Sequence, residues 1–151
     1  MSDIATAQSP DEAFKAALAA ILETLKPERA LVFYGYDKED LLQPRVAQGL
    51  DVGSVYTTGE VSLGILQEVL DGGQPKILVD AMSDPRFGER TSTVLSGIRS
   101  VICCPLLDTQ GTPIGLLYAD SRIQVAAFRQ THLGWFKELA VELQNKLAQL
   151  G

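Results

Sequence analysis

Histidine, asparagine and tryptophan occur once each in this chain of 151 residues, and cysteine only twice. A lone imidazole makes a poor metal site, because a protein-held metal needs three or four converging ligands. Two cysteines that are immediate neighbours, Cys103 and Cys104, cannot staple a secreted scaffold, which needs more of them and better spaced. No apolar run approaches the roughly 20 residues that cross a bilayer, and no basic stretch leads into an apolar core near Met1. Nothing marks export or membrane attachment, so a cytoplasmic location is expected. Positive charge is scarce as well: 13 basic residues against 19 acidic give a net charge of −6. A duplex-binding surface shows a basic patch, and none appears along the chain, so direct nucleic-acid binding is not expected.

Repeats, low-complexity tracts and linkers are missing too. The length suits a single domain over 1–151 that buries about two thirds of its unfolded surface. The small, polar stretch 1–8 is expected to be frayed. A helix then opens at Ser9: its hydroxyl can cap, Pro10 sits where a missing N–H does no harm, and Glu12 completes a capping box. Phe14, Leu18, Ile21, Leu22 and Leu25 form one apolar stripe, and Lys26-Pro27 ends the helix. "RALVFYGY" reads as a strand, with "QPRVAQGL" as a short partner beyond the acidic turn "DKED". Ser62 can cap a second helix carrying Ile65, Leu66, Val69 and Leu70, which Gly72-Gly73 stops. "KILVD" is a brief strand ending at Asp80, and "SDPRFGERTSTVLSG" reads as a short helix or helical turn. In the closing helix Leu133, Phe136, Ala140, Leu143 and Leu147 keep one stripe, with Trp135, Leu139 and Val141 outside it.

The stretches Ser100 to Leu107 and Ile114 to Ala119 are apolar at both odd and even positions, around a "DTQG" turn. Antiparallel strands usually wet one face. A hairpin that is oily on both faces needs cover on both, which implies three layers. The terminal helices supply one cover and the middle segments the other. The order α-β-β-α-β-α-β-β-α, with its late hairpin, argues against a doubly wound parallel sheet; the class is α+β.

The pieces "SLGILQEVLDGGQPKILVDAMSDPRF", "GIRSVICCPL" and "GTPIGLLYADSR", with Phe128 opening the last helix, resemble a GAF domain. The resemblance runs from about Phe14 to Leu147 and is closest to bacterial signalling proteins, where such domains precede kinase, cyclase, phosphodiesterase or transcription-activating modules. It implies a three-layer α/β/α fold with a six-stranded antiparallel sheet. Terminal helices cover one face, often pairing into a dimeric bundle. The middle helices and loops roof a small-molecule pocket on the other. It implies a sensory or regulatory module, which the placing of the cysteines makes non-enzymatic, and the wide apolar band of the last helix adds a homodimer through the first and last helices. Its signal would pass to an output domain or a partner protein such as a kinase, cyclase or transcription regulator. With no output module visible, the chain reads as part of a longer signalling protein or as a stand-alone module. Family ligands include cyclic nucleotides, bilins, haem, iron and small metabolites, and the fold alone does not choose among them.

The residues narrow the choice. Adjacent side chains in a strand point to opposite faces, so Cys103 and Cys104 cannot both line one pocket, and they read as filling. That weighs against the family's free methionine-(R)-sulfoxide reductases, whose pocket-side cysteines work in sequence. Covalent bilin attachment lacks its Cys-His pair, His132 lying instead near the start of the last helix. The Asn-Lys opening of the cyclic-nucleotide series is missing and only Phe87 is reminiscent of it, which lowers that reading without removing it. The cofactor stays open. Candidate ligand-binding residues on the roof or rim are Tyr34, Asp80, Arg86, Phe87, Arg90, Thr91 and Arg99, with Ser92 and one of the cysteines, here Cys103, although parity alone leaves the choice open. Arg86 or Arg90 could hold an anion beside the helix start at Asp84 to Phe87, or could simply pair with nearby carboxylates. A pocket plugged by its own side chains, serving only interaction, is the other reading.

Overall fold

The computed structural model describes residues 3–56, 63–78, 99–123 and 127–151. Ser9 starts the long N-terminal helix as its chemistry dictates. Its Oγ accepts the Glu12 N–H (3.2 Å) and the Glu12 carboxylate accepts the Gln8 N–H (2.9 Å). A short helical turn, α1 (Asp3–Thr6), precedes this helix, α2 (Pro10–Leu25). The N-terminus departs from the expectation of fraying: α1 packs on α2, with Ile4 and Ala7 buried. Their spacing of three puts both on one side of the turn, and Lys146 Nζ donates to the Ala5 carbonyl (2.9 Å). In α2 the buried line is Ala13, Phe14, Ala17, Ile21 and Leu25, while Leu18 and Leu22 lie partly covered at its edge.

Five strands follow among the described residues, where the resemblance implied six: β1 (Arg29–Tyr36), β2 (Leu42–Gln48), β3 (Lys76–Leu78), β4 (Ser100–Leu107) and β5 (Pro113–Ser121). They form one antiparallel sheet in the order β2-β1-β5-β4-β3. The β4–β5 turn closes because the Asp108 carboxylate accepts the Gln110 and Thr112 N–H groups (2.9 and 3.0 Å) and Gly111 takes φ +81°. Helix α3 (Leu63–Gly72) stops at Gly73, at φ +65°, whose N–H bonds the Val69 carbonyl (3.0 Å). The last helix, α4 (Gln130–Leu150), begins where the Arg129 N–H donates to His132 Nδ1 (3.0 Å), a capping role that accounts for the lone histidine. Ser62 and the stretch "SDPRFGERTSTVLSG" lie outside the described residues.

Two apolar cores sandwich the sheet. On one face α2 and α4 cover Ala30, Val32, Ile102, Cys104, Leu106, Leu117 and Ala119. On the other, Ile65, Leu66 and Val69 of α3 pack with Leu31, Phe33, Val101, Cys103, Leu116 and Tyr118. The double-sided hairpin thus has the two covers its sequence demanded.

Candidate functional site

The face under α3 is the roofed one, and strand alternation decides what reaches it. Cys103 lies in the roof-side core and Cys104 in the helix-side core, so the sheet separates the two sulfurs. Burial pushes both thiols up, Cys104 to about 12 and Cys103 further in the same direction. Buried, protonated thiols are inert, since the thiolate is the nucleophile.

Charge is buried on this face. Arg29 Nε and Nη2 donate to Asp120 Oδ1 (2.8 Å) and Oδ2 (2.6 Å), and Tyr118 Oη donates to the same Oδ2. Arg29 and Asp120 are 1% and 0% exposed. Burial is the largest influence on each, lifting the Asp120 carboxyl and opposing the guanidinium charge. The hydrogen bonds and charge of Asp120 nonetheless hold Arg29 above its ordinary value. A bidentate pair of this kind stays ionised because each partner satisfies the other. Arg29 Nη1 has no hydrogen-bond partner and is buried, so the network is one bond short of complete.

At the far end of β1, roughly 20 Å along the strand, the roof side opens. A cleft of about 640 Å³ lies between α3, which contributes Leu66, Gln67, Leu70 and Asp71, and the β1–β2 turn, which contributes Tyr36 and 40–42. Tyr56 stands between them, and Thr112 and Pro113 close one side. Tyr56 Oη donates to the Leu42 carbonyl (2.6 Å) and Tyr36 Oη to the Pro113 carbonyl (3.0 Å), which fixes both rings. The volume is that of a small-molecule site.

The candidate residues fare differently. Tyr34 is not on the roof: it follows the parity of Val32, and its ring packs against Phe14 of α2 with centroids 5.4 Å apart. Cys103 is on the roof face but sealed in the core. Arg99 precedes β4, its N–H donating to the Ser121 carbonyl (2.9 Å). Asp80, Arg86, Phe87, Arg90, Thr91 and Ser92 lie outside the described residues. The candidate residues taken from the sequence do not include Arg29, Asp120, Tyr118, Tyr36, Tyr56 or Asp71. Parity carried the missing signal, for Arg29 and Asp120 share the roof side with Leu31 and Tyr118, pointing charge inward.

This geometry, with an antiparallel sheet between terminal helices and a roofed cleft, has named counterparts. The GAF domain family profile matches residues 9–147. The chain belongs to the GAF domain family. Solved structures share the fold of this domain. The GAF domain of a phosphoenolpyruvate-protein phosphotransferase from Coxiella burnetii superimposes with TM-score 0.74 at 21% identity, covering 97% of this chain and 86% of that one. The free methionine-R-sulfoxide reductase from Neisseria meningitidis gives TM-score 0.74 at 20% identity over 96% and 81%. A domain of a two-component sensor histidine kinase protein from Sinorhizobium meliloti gives TM-score 0.65 at 20% identity over 95% and 94%. Comparison with curated protein sequences finds no significant match.

Proposed function

We propose that this GAF domain is a non-enzymatic sensory or regulatory module that binds a small molecule on the roof side of its sheet. The change would pass through the terminal helices to an output domain or partner protein. The roofed cleft of about 640 Å³ carries the reading, since an interaction-only module would have filled it. Relatives of this fold from a chemotaxis protein and a sensor histidine kinase protein support a place in signalling. The division of the two buried thiols between opposite faces speaks against paired-cysteine chemistry, the route open to a reductase. No helix among the described residues is long and apolar enough to cross a membrane, which fits the cytoplasmic location we assign.

The outer surface of the helical layer supports a homodimer. Ala16, Ala19 and Ala20 of α2 and Trp135 and Leu139 of α4 line a shallow groove there together with Asp3, Glu23, Thr24 and Glu142, and elsewhere on α4 Val141 is 44% exposed. Small residues let a second helix approach closely, and the apolar band is wider than one core requires. Light scattering is expected to show a dimer, and truncation before Leu143 to weaken it; a strict monomer at high concentration would remove this part.

Native mass spectrometry of the gently purified protein, followed by a melting screen against a metabolite panel, tests the ligand. A true ligand at a hundredfold excess over Kd adds about 2.7 kcal/mol of stability. An empty protein whose melting no compound shifts would leave the interaction-only reading. Turnover of free methionine sulfoxide, lost on Cys103→Ser or Cys104→Ser, would make it an enzyme instead.

A further inference from the structure

The cleft between α3 and the β1–β2 turn has a one-sided chemistry. Its described walls carry two carboxylates, Asp40 and Asp71, and no basic side chain. Both phenolic protons and one Gln67 amide proton, which would otherwise greet an anion, are engaged. Both phenols donate to backbone carbonyls, and the Gln67 amide donates to Asp71 Oδ1 (2.8 Å). What faces a visitor is mostly acceptor. Asp71 also sits in the last turn of α3, where unpaired carbonyls already make the potential negative. Lys76, at the start of β3, does not offset this charge freely, for its Nζ pairs with Glu68 of α3 (3.1 Å).

The field extends behind the lining. Asp37 caps the β1–β2 turn, its Oδ1 accepting the Glu39 and Leu41 N–H groups (2.8 and 3.1 Å). The Tyr56 phenol is raised well above its ordinary value, by burial first and by the Asp37 charge second. Tyrosine faces favour cations as well.

We infer that this cleft receives a protonated amine carried on an apolar body, with the ammonium against Asp40 and Asp71 and the hydrocarbon against Leu42, Leu66 and Leu70. The inference rests on the sensory reading above and adds the chemical class of the ligand. Phosphates and carboxylates are excluded by the same groups that admit the amine: each would meet like charge and few free donors.

Calorimetric titration of the whole chain with phenethylamine, 3-phenylpropionate and 2-phenylethanol separates charge from shape. Phenethylamine is expected to bind at least tenfold more tightly than either isostere, and to weaken as salt rises. Asp71→Asn is expected to remove most of that preference while the melting temperature stays level or rises slightly. Asp40→Asn, at an exposed turn, is the second variant and should act the same way. Equal binding of all three compounds, tightest binding of 3-phenylpropionate, or failure of phenethylamine to bind at millimolar concentration overturns the amine assignment. So does a preference that survives in both variants. The sensory reading stands in each of those cases. An amine preference with unchanged hydrogen exchange in α2 and α4 keeps the amine and removes the signalling.

Discussion

One sheet presents two faces built to different rules. On the helix side Ile102, Cys104, Leu106 and Leu117 meet Phe136, Ala140 and Leu143 in an apolar core. On the roof side the core of Leu31, Phe33, Cys103 and Tyr118 is flanked by a buried ion pair at one end and an open cleft at the other. Arg29 and Asp120 are the two fully buried charged residues among those described, and both belong to the roof. A close-packed apolar face moves as a unit and transmits displacement. A face with buried charge and free volume offers contacts that differ between two states, and only such a difference lets a ligand shift an equilibrium. On the function proposed above, the roof reads and the helix side reports.

The sharpest way to break this contrast is to remove one partner of the roof-side pair. Asp120→Ala leaves the Arg29 charge buried without compensation, and urea unfolding should show a loss of about 3–5 kcal/mol. Replacing both, as Arg29→Met with Asp120→Leu, should restore most of it, because two apolar groups need no ion pair. On the helix side the expected loss is of the cavity type: Leu143→Ala should lower stability by about 2–5 kcal/mol in the same measurement. Roof-side ligand affinity should stay near wild type in that variant, provided it is folded at the assay temperature.

Smaller effects come from ionisation. In the unfolded chain both thiols ionise from a value of 9.0, whereas in the fold Cys104 is held near 12 and Cys103 higher. A raised folded value gives a contribution that is complete below pH 9 and lost as pH rises beyond it. Melting temperature should therefore fall above pH 9, less so in Cys104→Ala, and neither thiol should react with a disulfide reagent at pH 8. The smallest effect is at the surface. Glu28 accepts from the Arg122 N–H and guanidinium, and those hydrogen bonds hold its carboxyl below 4.5 against the opposing influence of burial. Its contribution is complete above that value and lost as pH falls through the folded one. Arg122 is nearly half exposed, so Glu28→Gln should cost at the low end of about 0–1 kcal/mol near neutral pH.

Local signals in the sequence carried most of the fold. The Ser9–Glu12 cap, the Asp108–Gly111 turn, the stop at Gly73 and the double-sided hairpin each rest on neighbours in the chain, and each appears as expected. The α1 turn was missed because Ile4 and Ala7 are too few to show a period, and only α2 and α4 give them something to pack on. The site was less legible. Tyr34 and Tyr36 differ by two in sequence and alternation alone would put them on one face; Tyr34 packs on Phe14 while Tyr36 lies at the strand's end beside Pro113. Register irregularities after Val32 and Phe33 locate that end, and no local pattern announces them. Arg29 and Asp120 resemble solvated strand ends until cross-strand register sets them opposite each other, 91 residues apart in sequence.

Hydrogen–deuterium exchange on the protein alone and saturated with the compound that most raises its melting temperature tests the division of labour directly. Slower exchange is expected in α3 and the β1–β2 turn, together with altered exchange in α4. Protection confined to α2 and α4, with α3 and that turn unchanged, would contradict it.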